Sequence, residues 1–596
     1  MRRRHAAAAA TIFCATVLLA ASCTAVHGTV PAARHRVPAT ARGAAPPASR
    51  SAPPSPAARA CGPLPGFDKA AADEIMAGRL TMAPWPAVTV DPHKDGDVNW
   101  QLDPFHHPTW VSDFQSGGWI EMLISGYLAG GPQAQAYRAR AKALTQSWLR
   151  GVPLSLRYPG TVVCVSEAFP GQSWIEDQIP VSVGYYAAHW MGAWNHGFKQ
   201  DQELLRIGCA YPAAAWGGSA LKWRQTAMQQ IIASFEPNPL GPAIDAQGAT
   251  NEQATGYAAF VHRLLRAIVS QLSSCGYRLP HWIAARTALL PLFVAAATQP
   301  DGYLVQIGDT YQERGTGRLP QLQRVAVYSA GYIFGRSEWG PGASFYSLRF
   351  GPGRQVHGHD DHMGLTYYAR GRDLIVNAGH TGYENTPYRA YLRSPEASSM
   401  LVLPGVPFDQ FAPTSLVSDQ IGRYGQFYEF FDTAFGGHPR YRSVYVSQRP
   451  DLVLVFDRSR GAGEYQQLWH LDPTLRVTRL GSSSALASAP GTELLLQQIP
   501  LPGQVIPPGS TQVARGQVRP YQGWVSRQML QRIPADVVTM TTIAPSAAML
   551  TLIVPAAPGT PTATAISGPP DGPYQLRVRV GATVASFSIT AGGVIS

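Results

Sequence analysis

The chain has 596 residues, too many for one ordinary core, so two or more domains are expected. Hydrophobic residues make up 45% and charged residues 14%, which suits a globular, low-charge protein, and 58 Gly with 51 Pro point to many turns. The net charge of +11 sits at one end: residues 1–60 carry eight arginines and no acid, which leaves +3 for 61–596, so charge gives no support for nucleic acid as a partner or for a polyanionic substrate.

The chain opens with a positive segment, Met1-Arg2-Arg3-Arg4, and an apolar run over 6–21 that is too short and alanine-rich for a membrane span. Residues 1–22 therefore read as a secretory signal peptide, and a secreted or cell-surface protein is expected. Leu19-Ala20-Ala21-Ser22-Cys23 resembles a lipoprotein cleavage box with a lipid anchor at Cys23; ordinary cleavage near Ala21 is the alternative. Residues 23–62 are rich in Pro, Ala, Ser and Arg and read as a disordered linker. Beyond the leader stand Cys61, Cys164, Cys209 and Cys275, which allow up to two disulfides with the pairing open.

Helical spacing of apolar residues predicts helices over 118–128, 134–149, 181–194, 200–208, 220–235, 252–272 and 281–298. Helix after helix over this length suggests an α/α toroid or a large bundle. From about residue 324 the pattern changes to short β runs separated by Gly and Pro, as in 325–329, 344–350, 365–369, 373–376, 451–456 and 549–554. The predicted architecture is a multidomain α+β chain, with an N-terminal (α/α) toroid over 63–322 and a C-terminal antiparallel β-sandwich over 323–596.

The densest chemistry lies in His357-Gly358-His359-Asp360-Asp361-His362, where three imidazoles and two carboxylates share six positions before a predicted strand. Imidazole exchanges protons near neutral pH and also binds metals, so the cluster is a candidate for either task.

Three stretches, in order, resemble the heparinase II/III-like polysaccharide lyases. They are Asn195-His196-Gly197-Phe198, opening a predicted helix; Asn251-Glu252-Gln253-Ala254-Thr255-Gly256-Tyr257, with an acid five residues before a tyrosine; and His357-Gly358-His359, followed further on by Tyr391-Leu392-Arg393-Ser394. Gly331-Tyr332-Ile333-Phe334-Gly335-Arg336 also looks like the strand that enters that family's β domain. The resemblance covers roughly 110–475 and agrees with the α-then-β layout.

The resemblance implies a carbon–oxygen lyase that cleaves a uronate-containing, acidic polysaccharide by β-elimination. Such an enzyme must neutralise the C6 carboxylate, remove the C5 proton and protonate the oxygen leaving C4. Asn195 would neutralise the carboxylate, with a helix N-cap as its structural alternative. Tyr257 and His357 would act as acid and base, with a core tyrosine and a metal-binding or surface histidine as the alternatives. His196, Glu252, Arg389, Arg393 and Tyr383 would bind substrate. Trp119, Trp174, Trp190 and Trp194 are candidate sugar platforms, and Tyr388 and Tyr391 candidate cleft residues.

No cofactor is required by this chemistry. The family's pattern places a structural divalent metal at His359, but Asn377 stands where an aspartate is expected and Ser398-Ser399 where a His-Asn pair is. His359, Asp361 and His362 are the residues left to build such a site. Two other readings remain: a glycoside hydrolase on a toroid, using Asp245 and Glu252 or Asp177, and a non-catalytic glycan-binding protein.

Overall fold

The computed structural model describes residues 67–596 apart from 318, 320 and 321. The expected signal peptide, the linker over 23–62 and the Cys23 anchor lie outside the described residues. A helical N-terminal region is followed by antiparallel sheets. Among the described residues no helix is long and apolar enough to cross a membrane.

Helices form at Ala134–Gly151, Asn195–Ala210, Ala215–Ser234, Thr255–Ser274 and His281–Ala296, close to their predicted windows. The window over 181–194 is shorter, Gln178–Ala188, because His189 leaves helical φ/ψ and Gly192 turns through φ +99°, which frees Asn195 to open the next helix. The window starting at 252 begins instead at Thr255, since Gln253 has φ +57° and cannot sit in a right-handed helix. Helices at Pro108–Ser116, Pro159–Ala168 and Pro387–Arg393 were not predicted. Each begins with proline, which breaks a helix interior but suits the first position, where its missing N–H has no partner to lose.

The chain separates into two compact units. One holds residues through Met191, Lys199–Gln230 and Ser270–Tyr277; a Cys209–Cys275 disulfide with Cα atoms 5.7 Å apart lies wholly within it. The other holds Gly192–Phe198, Ile231–Val269 and Arg278–Ser596, so several helical segments belong with the sheets rather than ending at 322.

In the second unit a five-stranded antiparallel sheet (325–375) packs on a ten-stranded sheet. The latter is centred on two long strands, Asp451–His470 and Asp536–Ala556, paired from Val453 with Ile553 to His470 with Val537. Ile333, Tyr346, Leu365 and Tyr367 from the smaller sheet meet Tyr428, Phe430, Val444 and Val455 from the larger one. This is the predicted sandwich core. The far face of the large sheet carries a third layer, the three strands Thr562–Ser567, Tyr574–Val580 and Thr583–Ile589, sealed by Leu452, Leu454, Leu550, Leu552, Leu576 and Val578. The strands Tyr332–Arg336, Phe345–Arg349 and Leu365–Ala369 are buried at every position, as strands covered on both faces must be.

Candidate active site

Every residue of the site belongs to the second compact unit. Its scaffold is a set of interlocked loops. Gln253, in its left-handed conformation, donates from Nε2 to the carbonyls of Pro352 and Gly353 and accepts from the Gln355 N–H, each at 2.8–3.0 Å. The His357 N–H bonds the Glu252 carbonyl at 3.2 Å, and the Asp309 N–H bonds the His357 carbonyl at 2.9 Å. Gly308, at φ +61°, makes this approach feasible: a Cβ there would lie 2.4 Å from the Gln253 carbonyl oxygen and 2.6 Å from that of His357.

Four polar side chains form a buried floor: Asn195 (3% exposed), Glu252 (1%), His357 (1%) and Asp309 (3%). Both Asn195 donors point at Glu252, its N–H to Oε1 at 2.9 Å and its Nδ2–H to Oε2 at 2.5 Å. Asn195 Nδ2 also lies 3.3 Å from His357 Nε2, and Glu252 Oε2 lies 3.4 Å from the same nitrogen. The other ring nitrogen, Nδ1, lies 3.1 Å from Asp309 Oδ2 and 3.2 Å from the Tyr383 hydroxyl.

Tyr257 and Tyr383 are half-buried and cover this floor. The Tyr257 ring stacks on the His357 imidazole and its hydroxyl is hydrogen-bonded to that of Tyr383. Trp194 and His196, also half-buried, stack on each other with centroids 4.3 Å apart, and Trp194 is 6.0 Å from His357.

Burial and neighbours set the protonation states. Burial pushes the Glu252 carboxyl up to about 8, opposed by the two Asn195 bonds, so it is mostly protonated at neutral pH. Burial holds His357 below its ordinary 6.5, opposed by Asp309, so its imidazole is neutral. Burial also lifts the Tyr257 phenol well above 10, with Asp309 reinforcing it and the Tyr383 bond opposing it. Burial would raise Asp309 too, but Arg389, His380 and the bonds from His357 and His359 outweigh it and hold that carboxyl well below its ordinary range.

Asp309 and His380 lie outside the motifs named from the sequence. Asp309 ties the site together, since its Oδ1 receives His359 Nε2–H at 2.9 Å and the Arg389 guanidinium at 2.6 Å. His380 Nδ1 lies 3.1 Å from the same oxygen but off the hydrogen-bond direction. A short helix, Pro387–Arg393, aims Arg389; it is capped by the Thr386 hydroxyl, which accepts from the Arg389 N–H at 3.2 Å. The signals in the sequence were the Gly-Asp step at 308–309 and the Thr-Pro pair at 386–387.

Several expected roles meet different placements. Arg389 turns to Asp309, and Arg393 donates to the Gly358 carbonyl at 3.3 Å, so both guanidinium groups brace the loops. Glu252 is buried against Asn195. Tyr388 and Tyr391 are buried among Tyr521 and Trp524. Trp119 stacks on Trp100 and Phe114 in the other unit. Asp245 accepts from the Gln247 and Ala249 N–H groups and closes a turn. The two carboxylates nearest the site, Glu252 and Asp309, flank one imidazole rather than a bond to be cleaved.

A metal at His359 does not fit these residues. Its Nε2 faces Asp309 and lies 3.5 Å from the Arg389 guanidinium, whose charge already serves that carboxylate and would repel a cation. One atom of each remaining candidate is taken: Asp361 Oδ1 pairs with Arg349, His362 Nδ1 contacts the Thr414 hydroxyl and Asn377 Nδ2 donates to the Gln306 carbonyl. Among the described residues no group of three His, Cys, Asp or Glu side chains is placed to hold a metal.

Comparison with known proteins agrees with the fold. Residues 329–544 match the family described as heparinase II/III-like, C-terminal. The heparan sulfate lyase HepC of Pedobacter heparinus, in a mutant form, superposes with TM-score 0.64 at 15% identity, covering 89% of this chain and 90% of its own. A heparinase III structure gives 0.72 at 13% identity, covering 88% and 91%. The Streptomyces coelicolor A3 chondroitin AC lyase, solved with chondroitin sulphate, gives 0.52 at 11%, covering 88% and 84%. At these identities the likeness is one of fold. No curated protein matches the sequence.

Proposed function

We propose that this chain, whose residues 329–544 are heparinase II/III-like, is a polysaccharide lyase that cleaves a uronate-containing polysaccharide by β-elimination. The observation that carries the reading is the meeting of an amide, a neutral imidazole and a protonated phenol: Asn195 Nδ2 is 3.3 Å from His357 Nε2, and Tyr257 lies against the same ring.

Asn195 takes the uronate carboxylate. Its amide hydrogens already face Glu252 and His357, so an incoming carboxylate displaces the contact with His357 and frees the Nε2 lone pair in the same step. Glu252, protonated at neutral pH, lets this anion approach without repulsion. The carbon next to the bound carboxylate, C5, then lies beside Nε2. That nitrogen removes the C5 proton, the C–H electron pair forms the C4–C5 double bond, and the C4–O bond breaks. The leaving oxygen takes the Tyr257 phenolic proton, and the Tyr383 hydroxyl donates to the phenolate left behind. Exchange with water removes the proton from His357 and restores Tyr257. No step needs a cofactor.

The leader-like segment over 1–22 and the polymeric substrate together support an exported protein, secreted or held at the surface through Cys23. The test is ultraviolet absorbance of unsaturated uronate on a panel of uronate polymers. A rise that Tyr257→Phe and His357→Ala abolish is expected; products without unsaturation would refute elimination.

A further inference from the structure

Asp309 is the most heavily bonded carboxylate of the site, and no step of the proposed elimination uses it. Its two oxygens have different tasks. Oδ1 receives His359 Nε2–H at 2.9 Å and Arg389 at 2.6 Å, with His380 3.1 Å away. These three partners come from the loop after His357, the segment after the five-stranded sheet and the Pro387–Arg393 helix, so the carboxylate is pinned from several directions. Oδ2 is left for His357 Nδ1 at 3.1 Å.

We infer that Asp309 is a positioning residue for the lyase reaction: it holds the His357 proton on Nδ1 and so keeps the Nε2 lone pair facing Asn195 and the substrate. A neutral imidazole carries one proton, and the nitrogen bonded to a carboxylate is the one that keeps it. With the proton on Nε2 instead, an N–H would face the carbon to be deprotonated and the base would be lost. Asp309 also stabilises the imidazolium that forms once the C5 proton arrives, as an acceptor 3.1 Å from Nδ1. The Tyr383 hydroxyl cannot replace it. That hydroxyl also approaches Nδ1, at 3.2 Å, but it is neutral and cannot match a carboxylate as the acceptor of the Nδ1 proton.

The catalytic part of this inference rests on the lyase reading; the tautomer part does not, and the experiment separates them. The ring nitrogens of His357 are observed by nitrogen-15 NMR of the full-length protein, assigned with His357→Gln. Steady-state kinetics on the responsive uronate polymer accompany them. Wild type is expected to show protonated Nδ1 and bare Nε2. Asp309→Asn presents an amide N–H to Nδ1 and is expected to move the proton to Nε2. It should lower kcat by ~1,000- to 10,000-fold, the scale known for a carboxylate that orients a catalytic imidazole, with little change in KM. Protonated Nε2 in wild type would overturn the inference, as would an Asp309→Asn protein within about tenfold of wild-type kcat, a loss too small for a misplaced base. If Asp309→Asn does not fold, the wild-type tautomer alone decides. Protonated Nδ1 in a protein that acts on no uronate polymer would sink the lyase reading and leave the bond between Asp309 and His357 as assigned.

Discussion

The phenol ring of Tyr257 lies flat on the imidazole of His357, with centroids 3.5 Å apart and planes 9° from parallel. The stack brings the acid and the base of the proposed reaction together and turns their reactive atoms different ways, Nε2 toward Asn195 and the phenol toward Tyr383.

Tyr257→Phe keeps the stacked ring and removes only the hydroxyl. It should lower kcat by ~100- to 10,000-fold, the range for losing a general acid, and leave the melting temperature within a few degrees of wild type. Kinetics beside a thermal melt test this; a large drop in melting temperature would mean that the hydroxyl serves packing instead.

The pH dependence of kcat/KM should show two limbs of different origin. The acid limb reflects protonation of His357 and falls below pH 6.5, because burial lowers that imidazole from its ordinary value. The alkaline limb lies near pH 8, where Glu252 ionises and repels the uronate carboxylate from Asn195. Glu252→Gln should abolish the alkaline limb and keep the acid one. An alkaline limb that persists in this variant would assign it to another group.

Glu252 also predicts how stability varies with pH. Its carboxyl is raised from 4.5 in the unfolded chain to about 8 in the folded protein. Below pH 4.5 both states are protonated and the folded protein keeps the full benefit. As pH rises toward 8 the unfolded chain ionises first, and stability falls by about 1.4 kcal/mol per unit. Denaturant titrations across that window should show a shallower slope in Glu252→Gln than in wild type, the difference being the contribution of Glu252. Equal slopes would mean that Glu252 is ionised in the folded protein.

Gly308→Ala should be severe although it adds a single methyl. The new Cβ would meet two carbonyl oxygens, those of Gln253 and His357, and the φ of +61° is strained for any other residue. A loss of more than about 2 kcal/mol is expected, with activity lost to the same or a greater degree because the backbone bond from Asp309 to His357 is pushed apart. A variant as stable as wild type would show that these loops relax easily.

Much of this arrangement was legible before folding. Asn195, Tyr257 and His357 stand in short motifs whose order matched a known family, and the structure brings their side chains into one cluster. Helix windows were close wherever apolar spacing was regular, as at 134–149 and 281–298. They failed where a local backbone event intervened, at Gly192 and Gln253, or where proline opened a helix rather than ended one.

The linear pattern determined which groups are candidates for the chemistry and that helices precede sheets, because hydrophobic period and motif order are properties of neighbouring residues. Only the tertiary structure decided how those groups are tuned. Asp309 stands 48 residues from His357, Glu252 57 residues from Asn195 and Arg389 80 residues from Asp309, and no local signal links such pairs. Protonation depends on burial and on charges brought within a few ångströms. The same fold that left Glu252 protonated and His357 neutral also set Arg389 against Asp309, where a metal had been expected nearby at His359.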